Sequence, residues 1–367
     1  MEKTPPLPDD CSFIPFQAGG VVYRQGQQRL WVLNTVSAFI WCSLDEHSTT
    51  SELAGHISKT FHIPEDRALH DLLQVLKQFE KEGLIANHSH PTAAASQAKP
   101  IPFRITTQRL AGKPKAPASL HIELLHTRIQ ITCTEDKIIT ELKVLFDHLQ
   151  QQPLATQSAN LHITTENGKY SIYQDDLKIE PLLRPEEIIP GLFTLIFGLF
   201  SAGLGIRYLA FHAAVVARNS QAIIFPAESG SGKTTLTALL SAHGWTAYTD
   251  ELAVIDKSTG EVHPFNLPFS AKEGGTGPLS ETYPGIEQLR KDLRHDGKWV
   301  RYFIPKKFPN TSENDEATPI RAIIFPKYTT APTDHSLEPI EKAIALEKIA
   351  INGSSGRLLT EEDAIAL

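Results

Sequence analysis

Cysteine is scarce in this sequence, and its scarcity excludes two ways of stabilising a fold. The 367 residues include three cysteines, Cys11, Cys42 and Cys133, which are far apart and odd in number. That pattern fits neither a disulfide framework nor a cysteine-based metal site. We therefore expect a protein of the reducing cytoplasm.

Targeting and membrane-spanning signals are also lacking. The N-terminal MEKTPP carries an acid and prolines where a secretory signal has a basic start and an apolar core. The segment 188–206 has no charged residue, but Pro190 and several glycines interrupt it and no basic cluster flanks it. These features favour a buried helix followed by a turn, so no membrane span is expected.

Positive charge is low overall. The formal net charge is −7, which gives no general attraction to nucleic acid or to anionic lipid. With 41% hydrophobic and 21% charged residues, the composition is that of a globular protein long enough for two domains. Any polyanion must therefore bind at a local patch.

Residues 227–234, AESGSGKT, form the most informative motif. They follow the apolar run 222–225 and precede a helix-compatible segment that stops at Gly244. A glycine-rich loop between a strand and a helix points backbone N–H groups at an anion, and the helix adds its positive dipole end. The motif predicts an ATP-binding site made of Glu228, Ser229, Gly230, Ser231, Gly232, Lys233, Thr234 and Thr235.

Two adjacent acids, Asp250 and Glu251, follow the next predicted strand, 246–248. A strand end beside such a loop faces the bound triphosphate, so one acid can hold Mg²⁺ and the other can accept the proton of an attacking hydroxyl. Lys233 would reach the terminal phosphates and Thr234 would ligate the Mg²⁺. This spacing predicts kinase chemistry.

His212-Ala213-Ala214, the loop and the paired acid, taken together, resemble the HPr serine kinase/phosphorylase superfamily. The resemblance implies an α/β P-loop kinase core (HPr kinase/PEP carboxykinase-like) at 118–367, with a shorter C-terminal region than in related proteins. The roles it implies are general base for Asp250, its partner for His212, phosphate clamp for Lys233, phosphate contact for Lys272, and metal ligands for Thr234 and Glu251.

Residues 10–88 have the pattern of a separate module. Strand-like runs at 20–24 and 28–33 predict a hairpin, and helical periods follow at 35–44, 50–61 and 67–82. This order predicts a small α+β winged-helix-like domain. Its apolar positions resemble PqqD-like peptide-recognition domains, which implies capture of an extended peptide at a strand edge and an adjacent helix groove.

Winged helices also bind DNA, and charge decides against that alternative. Residues 1–88 hold seven Lys/Arg and eleven Asp/Glu, a net charge of −4, which repels phosphate backbones. We expect no nucleic-acid partner. The small polar and proline-bracketed residues after this module predict a linker at 89–117.

The sequence thus predicts an ATP- and Mg²⁺-dependent kinase that phosphorylates a Ser or Thr hydroxyl of a precursor peptide or small protein recruited by residues 10–88. Two alternatives stay open: a nucleotide-gated peptide chaperone or sensor without phosphotransfer, and a kinase for a small metabolite. A homo-oligomer also stays open, because hexameric relatives exist but the sequence carries no interface motif.

Overall fold

The computed structural model of the chain describes residues 3–16, 19–24, 29–44, 49–85, 103–110, 118–150, 159–204, 207–227, 230–309, 317–327, 337–342, 344–345 and 348–349. The chain divides into two compact units, Met1–Lys99 with Thr333–Leu367, and Pro100–Pro332. The division falls inside the predicted linker 89–117. Residues 333–367, which the sequence assigned to the 118–367 domain, group with the first unit, and most of them lie outside the described ranges.

The N-terminal unit is a three-stranded antiparallel sheet followed by three helices. Its elements are β1 (Cys11–Phe16), β2 (Gly19–Arg24), β3 (Arg29–Asn34), α1 (Thr35–Ser43), α2 (Thr50–Phe61) and α3 (Glu65–Lys81). The strand order is β1-β2-β3, which leaves one side of β3 at the sheet edge. The predicted hairpin and three helices are confirmed within about two residues.

Helix starts in this unit follow local chemistry. Thr49 forms a capping box with Glu52, in which each side chain bonds the other residue's backbone N–H. Helix α3 begins two residues earlier than predicted because Glu65 and Asp66 occupy its first turn, where acids interact favourably with the helix dipole. Its buried face, spaced at helical intervals, packs into the unit's own core, which includes Trp41, Leu53, Leu72 and Phe79.

The second unit mixes several sheets with helices. Its elements, in chain order, are β4 (Arg104–Arg109), β5 (Ala118–Leu124), β6 (Thr127–Cys133), α4 (Asp136–Leu145), β7 (Ala159–Glu166), β8 (Lys169–Gln174), β9 (Leu177–Leu183), α5 (Ile188–Gly203), β10 (Tyr208–Phe211), β11 (Ala213–Arg218), β12 (Gln221–Pro226), α6 (Lys233–Ala242), β13 (Thr246–Thr249), β14 (Ala253–Asp256), β15 (Val262–His263), β16 (Phe269–Lys272), α7 (Glu273–Ser280), β17 (Asp292–Leu293), β18 (Trp299–Phe303) and β19 (Ile320–Ile323). Two 3₁₀ turns, Asp147–Leu149 and Ile286–Gln288, complete it.

A six-stranded sheet in the order β4-β9-β8-β7-β6-β5 opens this unit. Buried and less buried positions alternate along β5 and β7, as expected of a sheet with one face on the core. Strand β4 lies in the range 89–117 that the sequence assigned to a linker. It pairs with β9, and its side chains are mostly exposed, so it carries no apolar alternation that the sequence could reveal.

A four-stranded sheet, β13-β11-β12-β19, positions the motifs of interest. Strands β11 and β12 form a hairpin across Asn219 and Ser220, whose φ values of 52° and 56° suit a two-residue turn with left-handed backbone. The strand just before β11 and those between β13 and β19 form two three-stranded sheets, β10-β14-β15 and β16-β18-β17.

Helix α5 accounts for the uncharged segment 188–206. It spans 16 residues, and its side chains Leu192, Ile196 and Phe200 are buried in the largest core cluster of the unit. Within the described ranges, no helix is long and apolar enough to cross a membrane.

Candidate functional site

Strand register brings the predicted site residues to one edge of the four-stranded sheet. His212 immediately precedes β11, Ala227 immediately follows β12, and Asp250 immediately follows β13. Strand β11 lies between the other two and is antiparallel to both, with Ala213 opposite Pro226 and Val215 opposite Thr249. The start of β11 and the ends of β12 and β13 therefore meet.

The loop after β12 has the backbone that its glycines allow. Gly230 and Gly232 have φ values of 96° and 88°, in the left-handed region that favours glycine. Gly232 is the N-cap of α6, so the N–H groups of the first helical turn begin at Lys233. Such a turn at a helix N-terminus suits an anion. Glu228 and Ser229, also predicted to contact phosphate, lie outside the described residues.

Thr234 joins the loop to the acidic pair. Its hydroxyl donates a hydrogen bond of 2.7 Å to Oδ2 of Asp250. Asp250 is almost fully buried, and the Lys233 side chain, also buried, donates from Nζ to the carbonyl oxygen of Ala227. The predicted phosphate clamp, metal ligand and general base are thus close neighbours.

His212 contacts the second acid. Its Nδ1 lies 2.7 Å from the backbone oxygen of Glu251 and 3.2 Å from Oε2 of the same residue. Because a carbonyl oxygen accepts, Nδ1 carries the proton, and in the neutral ring Nε2 is left as the acceptor. The Thr249 hydroxyl accepts from the backbone N–H groups of Glu251 and Leu252, both at 3.1 Å, and holds the turn that carries the acids. Thr249 was not among the site residues predicted from the sequence.

Burial dominates the electrostatics of the site. Burial and the charge of Glu251 hold the pKa of Asp250 well above its ordinary value, against the lowering effects of Thr234 and Lys233. Burial is the main cause that lowers the pKa of His212; the charge of Glu251 and the hydrogen bond to its backbone oxygen act in the opposite direction, and Lys233 and Lys272 add to the lowering. Both groups favour their uncharged forms, which makes this a place where a bound charge changes protonation.

Lys272 ends β16, next to α7. Burial lowers its pKa, and the charges of Lys298 and Arg294 lower it further, while Glu251 acts in the opposite direction. Lys272 therefore lies within electrostatic reach of Glu251. The α7 residue Gly275 lies close to Thr235, since a Cβ built on it would be 3.6 Å from the threonine Oγ1. The segment that carries Lys272 thus runs beside the first turn of α6.

Ser231 lies in the loop between β12 and α6. Its hydroxyl is buried and makes no hydrogen bond to the residues that the structure describes.

Two basic residues near Lys272, Arg294 and Lys298, were not predicted from the sequence. They flank an Asp-Gly dipeptide between two short strands. That dipeptide is a hairpin signal, and it would have been the means of finding them.

The residues present fit a magnesium ion that arrives with a nucleotide. Mg²⁺ is usually held by one or two protein carboxylates or hydroxyls together with substrate phosphates and water. Thr234, Asp250 and Glu251 are the oxygen donors available here. A positive charge beside Asp250 would favour its carboxylate form, opposing the effect of burial.

The N-terminal unit has a groove of its own, about 720 Å³ in volume. It lies between the junction of β3 with α1 and one face of α3, and it opens widely to solvent. The lining is mixed polar and apolar: Asn34, Val36, Ser37, Asp71, Gln74, Val75, Lys77, Gln78, Phe79 and Lys81. An edge strand beside a helix groove is the geometry used to bind an extended peptide.

Comparison with known families agrees with the N-terminal geometry. The model of the family described as "Coenzyme PQQ synthesis protein D (PqqD)" matches residues 19–85. The chain therefore contains a PqqD-like domain, a peptide-binding domain of peptide-modification systems, that spans β2 to the end of the described N-terminal segment. No curated protein matches the chain.

Proposed function

We propose that this protein is an ATP-dependent kinase that phosphorylates a Ser or Thr hydroxyl of a peptide or small protein bound by its PqqD-like domain. The proposal includes an HPr kinase-like P-loop core in the second unit. The contact between Thr234 and Asp250 carries it, because a loop hydroxyl suited to Mg²⁺ and a buried acid suited to a hydroxyl proton are 2.7 Å apart. The small and odd number of cysteines, far apart in the sequence, supports a cytoplasmic location.

In this proposal the loop N–H groups and Lys233 bind the phosphates of ATP, and Thr234 with Glu251 holds Mg²⁺, which supplies charge neutralisation when bound. Asp250 in its carboxylate form accepts the proton of the acceptor hydroxyl. The hydroxyl oxygen forms a bond to the γ-phosphorus as the bond to the β-phosphate oxygen breaks, and ADP leaves. His212 positions the acidic turn through its bond to the backbone oxygen of Glu251.

The peptide-binding domain supports a peptide acceptor rather than a metabolite. A domain that holds the acceptor chain raises its local concentration at the transfer site. Deletion of residues 1–88 separates the two cases. Phosphorylation of a metabolite would survive the deletion, whereas phosphorylation of a docked peptide would fall sharply.

The decisive experiment combines phosphopeptide detection with nucleotide binding. Purified protein, Mg·ATP and the short peptides encoded beside its gene are incubated, and the products are analysed by mass spectrometry. For Asp250→Asn we expect transfer to fall by about 10²–10⁴-fold, the usual contribution of a general base, with ATP affinity retained. An exposed acid on the same unit, Asp136→Asn, serves as the matched control and should keep full transfer. Absence of any phosphopeptide with the wild type, or full transfer by Asp250→Asn, would refute the proposal.

A nucleotide-gated peptide chaperone or sensor is the second candidate, and the PqqD-like domain favours it because such a domain binds peptide without chemistry of its own. It predicts slow ATP hydrolysis and a peptide affinity that changes with nucleotide. Peptide binding measured with ADP and with a non-hydrolysable ATP analogue distinguishes it from the kinase, for which phosphopeptide is the product.

A further inference from the structure

A short hairpin beside Lys272 carries two cations that the proposed chemistry does not use. Residues Arg294–Lys298, here called the basic hairpin, connect β17 to β18. The backbone N–H of Arg294 donates to the oxygen of Lys298 at 3.0 Å, and that of Gly297 to the oxygen of Arg294 at 2.9 Å. The tight turn presents both cationic side chains from a fixed backbone.

Sheet register fixes the location of the basic hairpin. The strand order is β16-β18-β17, and Lys272 at the end of β16 lies opposite Val300 near the start of β18. The basic hairpin immediately precedes that start, so it emerges at the same end of the sheet as Lys272. Burial raises the pKa of Tyr302, two residues further along β18; the charge of Arg294 lowers this pKa, and the charges of Asp292, Glu251 and Asp250 raise it. The basic hairpin and the acidic pair thus act on the same small region.

The charges around the basic hairpin do not balance. Arg294 and Lys298 share one carboxylate, Asp296, at 3.4 Å and 3.3 Å. Burial alone would raise the pKa of Asp296, yet the two cations lower it below its ordinary value. Lys272 adds a third positive charge within electrostatic reach. Two acids, Asp296 and, beside Lys272, Glu251, face these three cations, which leaves one positive charge in surplus for an incoming anion.

The donor nucleotide is not the best source of that anion. Its phosphates have the loop N–H groups, the start of α6 and Lys233. Strand β16 contacts α6, and the basic hairpin precedes β18, which is next to β16 in the sheet order. Arg294 and Lys298 are therefore carried into the strand beside the one that ends at Lys272.

We propose that Arg294 and Lys298 bind an acidic group of the acceptor beside the hydroxyl that is phosphorylated, so that the protein selects acceptors with a carboxylate next to the reactive Ser or Thr. The inference rests on the proposed function, since it names the acceptor of the same site. Asp296 holds the side chains of Arg294 and Lys298 in place. When the acceptor binds, its carboxylate replaces part of the contact with Asp296 and forms charge-assisted hydrogen bonds with both side chains.

The test measures peptide binding and transfer separately. The probes are labelled serine peptides in which a pair of glutamates is moved stepwise past the serine, with matched glutamine peptides. Binding to the full chain is followed by fluorescence anisotropy with a non-hydrolysable Mg·ATP analogue present. For the wild type we expect the best-placed glutamate peptide to bind about tenfold more tightly than its glutamine match, because two charge pairs are made at a partly exposed surface.

Two double variants isolate the basic hairpin. Arg294→Gln with Lys298→Gln should bring that ratio close to one and leave the Kd for Mg·ATP unchanged. Lys137→Gln with Lys143→Gln removes two charges from exposed positions on α4 and should keep the ratio. Equal binding of both peptide classes by the wild type, or an unchanged ratio in the hairpin variant, overturns the inference. Weaker Mg·ATP binding by the hairpin variant also overturns it and assigns the cations to the donor.

Transfer assays on the same peptides keep the two proposals apart. If the wild type selects glutamate peptides in binding but phosphorylates none, the kinase proposal fails and the assignment of the basic hairpin to an acidic ligand stands. If glutamate and glutamine peptides bind and are phosphorylated equally, the kinase proposal stands and the inference fails.

Discussion

Thr234 and Asp250 are separated by 16 positions in sequence, but their side-chain oxygens are 2.7 Å apart. The contact follows from strand register. Strand β11 lies between β12 and β13 and is antiparallel to both, so the loop that follows β12 and the acid that follows β13 lie at the same edge of the sheet. In the proposed site, a hydroxyl in this position would serve both the Mg²⁺ and the acid. Its removal should therefore affect the magnesium-dependent part of nucleotide binding first.

The variant Thr234→Val removes the hydroxyl and keeps the shape of the side chain. We expect about a tenfold loss of ATP affinity in the presence of Mg²⁺ and little change in its absence, because the lost group ligates or orients the metal. Isothermal titration with and without Mg²⁺ measures both. Thr140→Val, at an exposed position of α4, is the control. Equal losses in both conditions would show that the hydroxyl has no metal-dependent role.

His148 is a buried titratable group away from the site. Its Nε2 donates to the backbone oxygen of Asn266 at 2.6 Å, and its ring lies 4.6 Å from that of Phe308 between centroids. Burial lowers its pKa, although Asn266 and Asp147 act in the opposite direction. The unfolded chain therefore binds this proton at a higher pH than the folded chain does. The neutral His148 ring therefore stabilises the fold fully above the ordinary histidine pKa of about 6.5. This stabilisation is lost as the pH falls toward the lower pKa of His148 in the folded protein.

We accordingly expect the free energy of unfolding to decline as the pH is lowered from about 7.5 to about 5.5. In His148→Gln the decline should be shallower, while stability at pH 7.5 drops by about 1–3 kcal/mol through lost packing and a weaker hydrogen bond. Urea unfolding across this pH range measures both effects. The exposed His243→Gln should keep the wild-type slope. A wild-type slope in His148→Gln would assign the acid sensitivity to other groups.

At the level of helices and strands, the sequence predicted the elements with strong local signals and missed those with weak ones. Helix α2 has the predicted bounds because an apolar helical period and a capping residue agree. Strands β5 and β6 are joined at Leu125 and His126, both of which have positive φ. Neither residue is a usual turn former, so no sequence signal marks that turn. Strand β4 was missed because it is an exposed edge strand.

The capping box of α2 gives a prediction at this scale. Thr49 Oγ1 accepts from the Glu52 N–H at 3.3 Å, and the Thr49 N–H donates to Oε2 of Glu52 at 3.1 Å. Thr49→Ala should lower the stability of the N-terminal unit by about 1 kcal/mol. Chemical denaturation followed by the fluorescence of its tryptophans measures the loss. Ser51→Ala, an exposed position in the same first turn, should change little, and equal effects of the two variants would contradict a capping role.

At the scale of the whole molecule, the two units have separate cores. The core of the first includes Trp41 and Leu72, and the largest core of the second includes Leu161 and Phe200. A ligand that binds one unit should therefore stabilise the transition of that unit. A single calorimetric scan can therefore test the proposed nucleotide binding and the peptide binding separately, because each ligand should stabilise the unfolding transition of one unit.

In differential scanning calorimetry, Mg·ATP should raise the unfolding transition of the second unit. At a ligand concentration of about 100 Kd, the gain is about 2.7 kcal/mol by mass action. Lys233→Ala should abolish the shift, and Lys143→Ala, on the exposed surface of α4, should retain it. A shift of equal size in Lys233→Ala would mean that the nucleotide binds elsewhere.

Local patterns were enough to predict the elements of the N-terminal module and the glycine-rich loop at 227–234, because helical periodicity and glycines between a strand and a helix are visible in the sequence. Which distant residues meet depends on strand pairing. The register of β11 with its two neighbours brings Thr234 to Asp250 and His212 to Glu251, and the pairing of β16 with β18 brings the basic hairpin to Lys272. Such contacts join strands far apart in the chain, and no local propensity encodes their pairing.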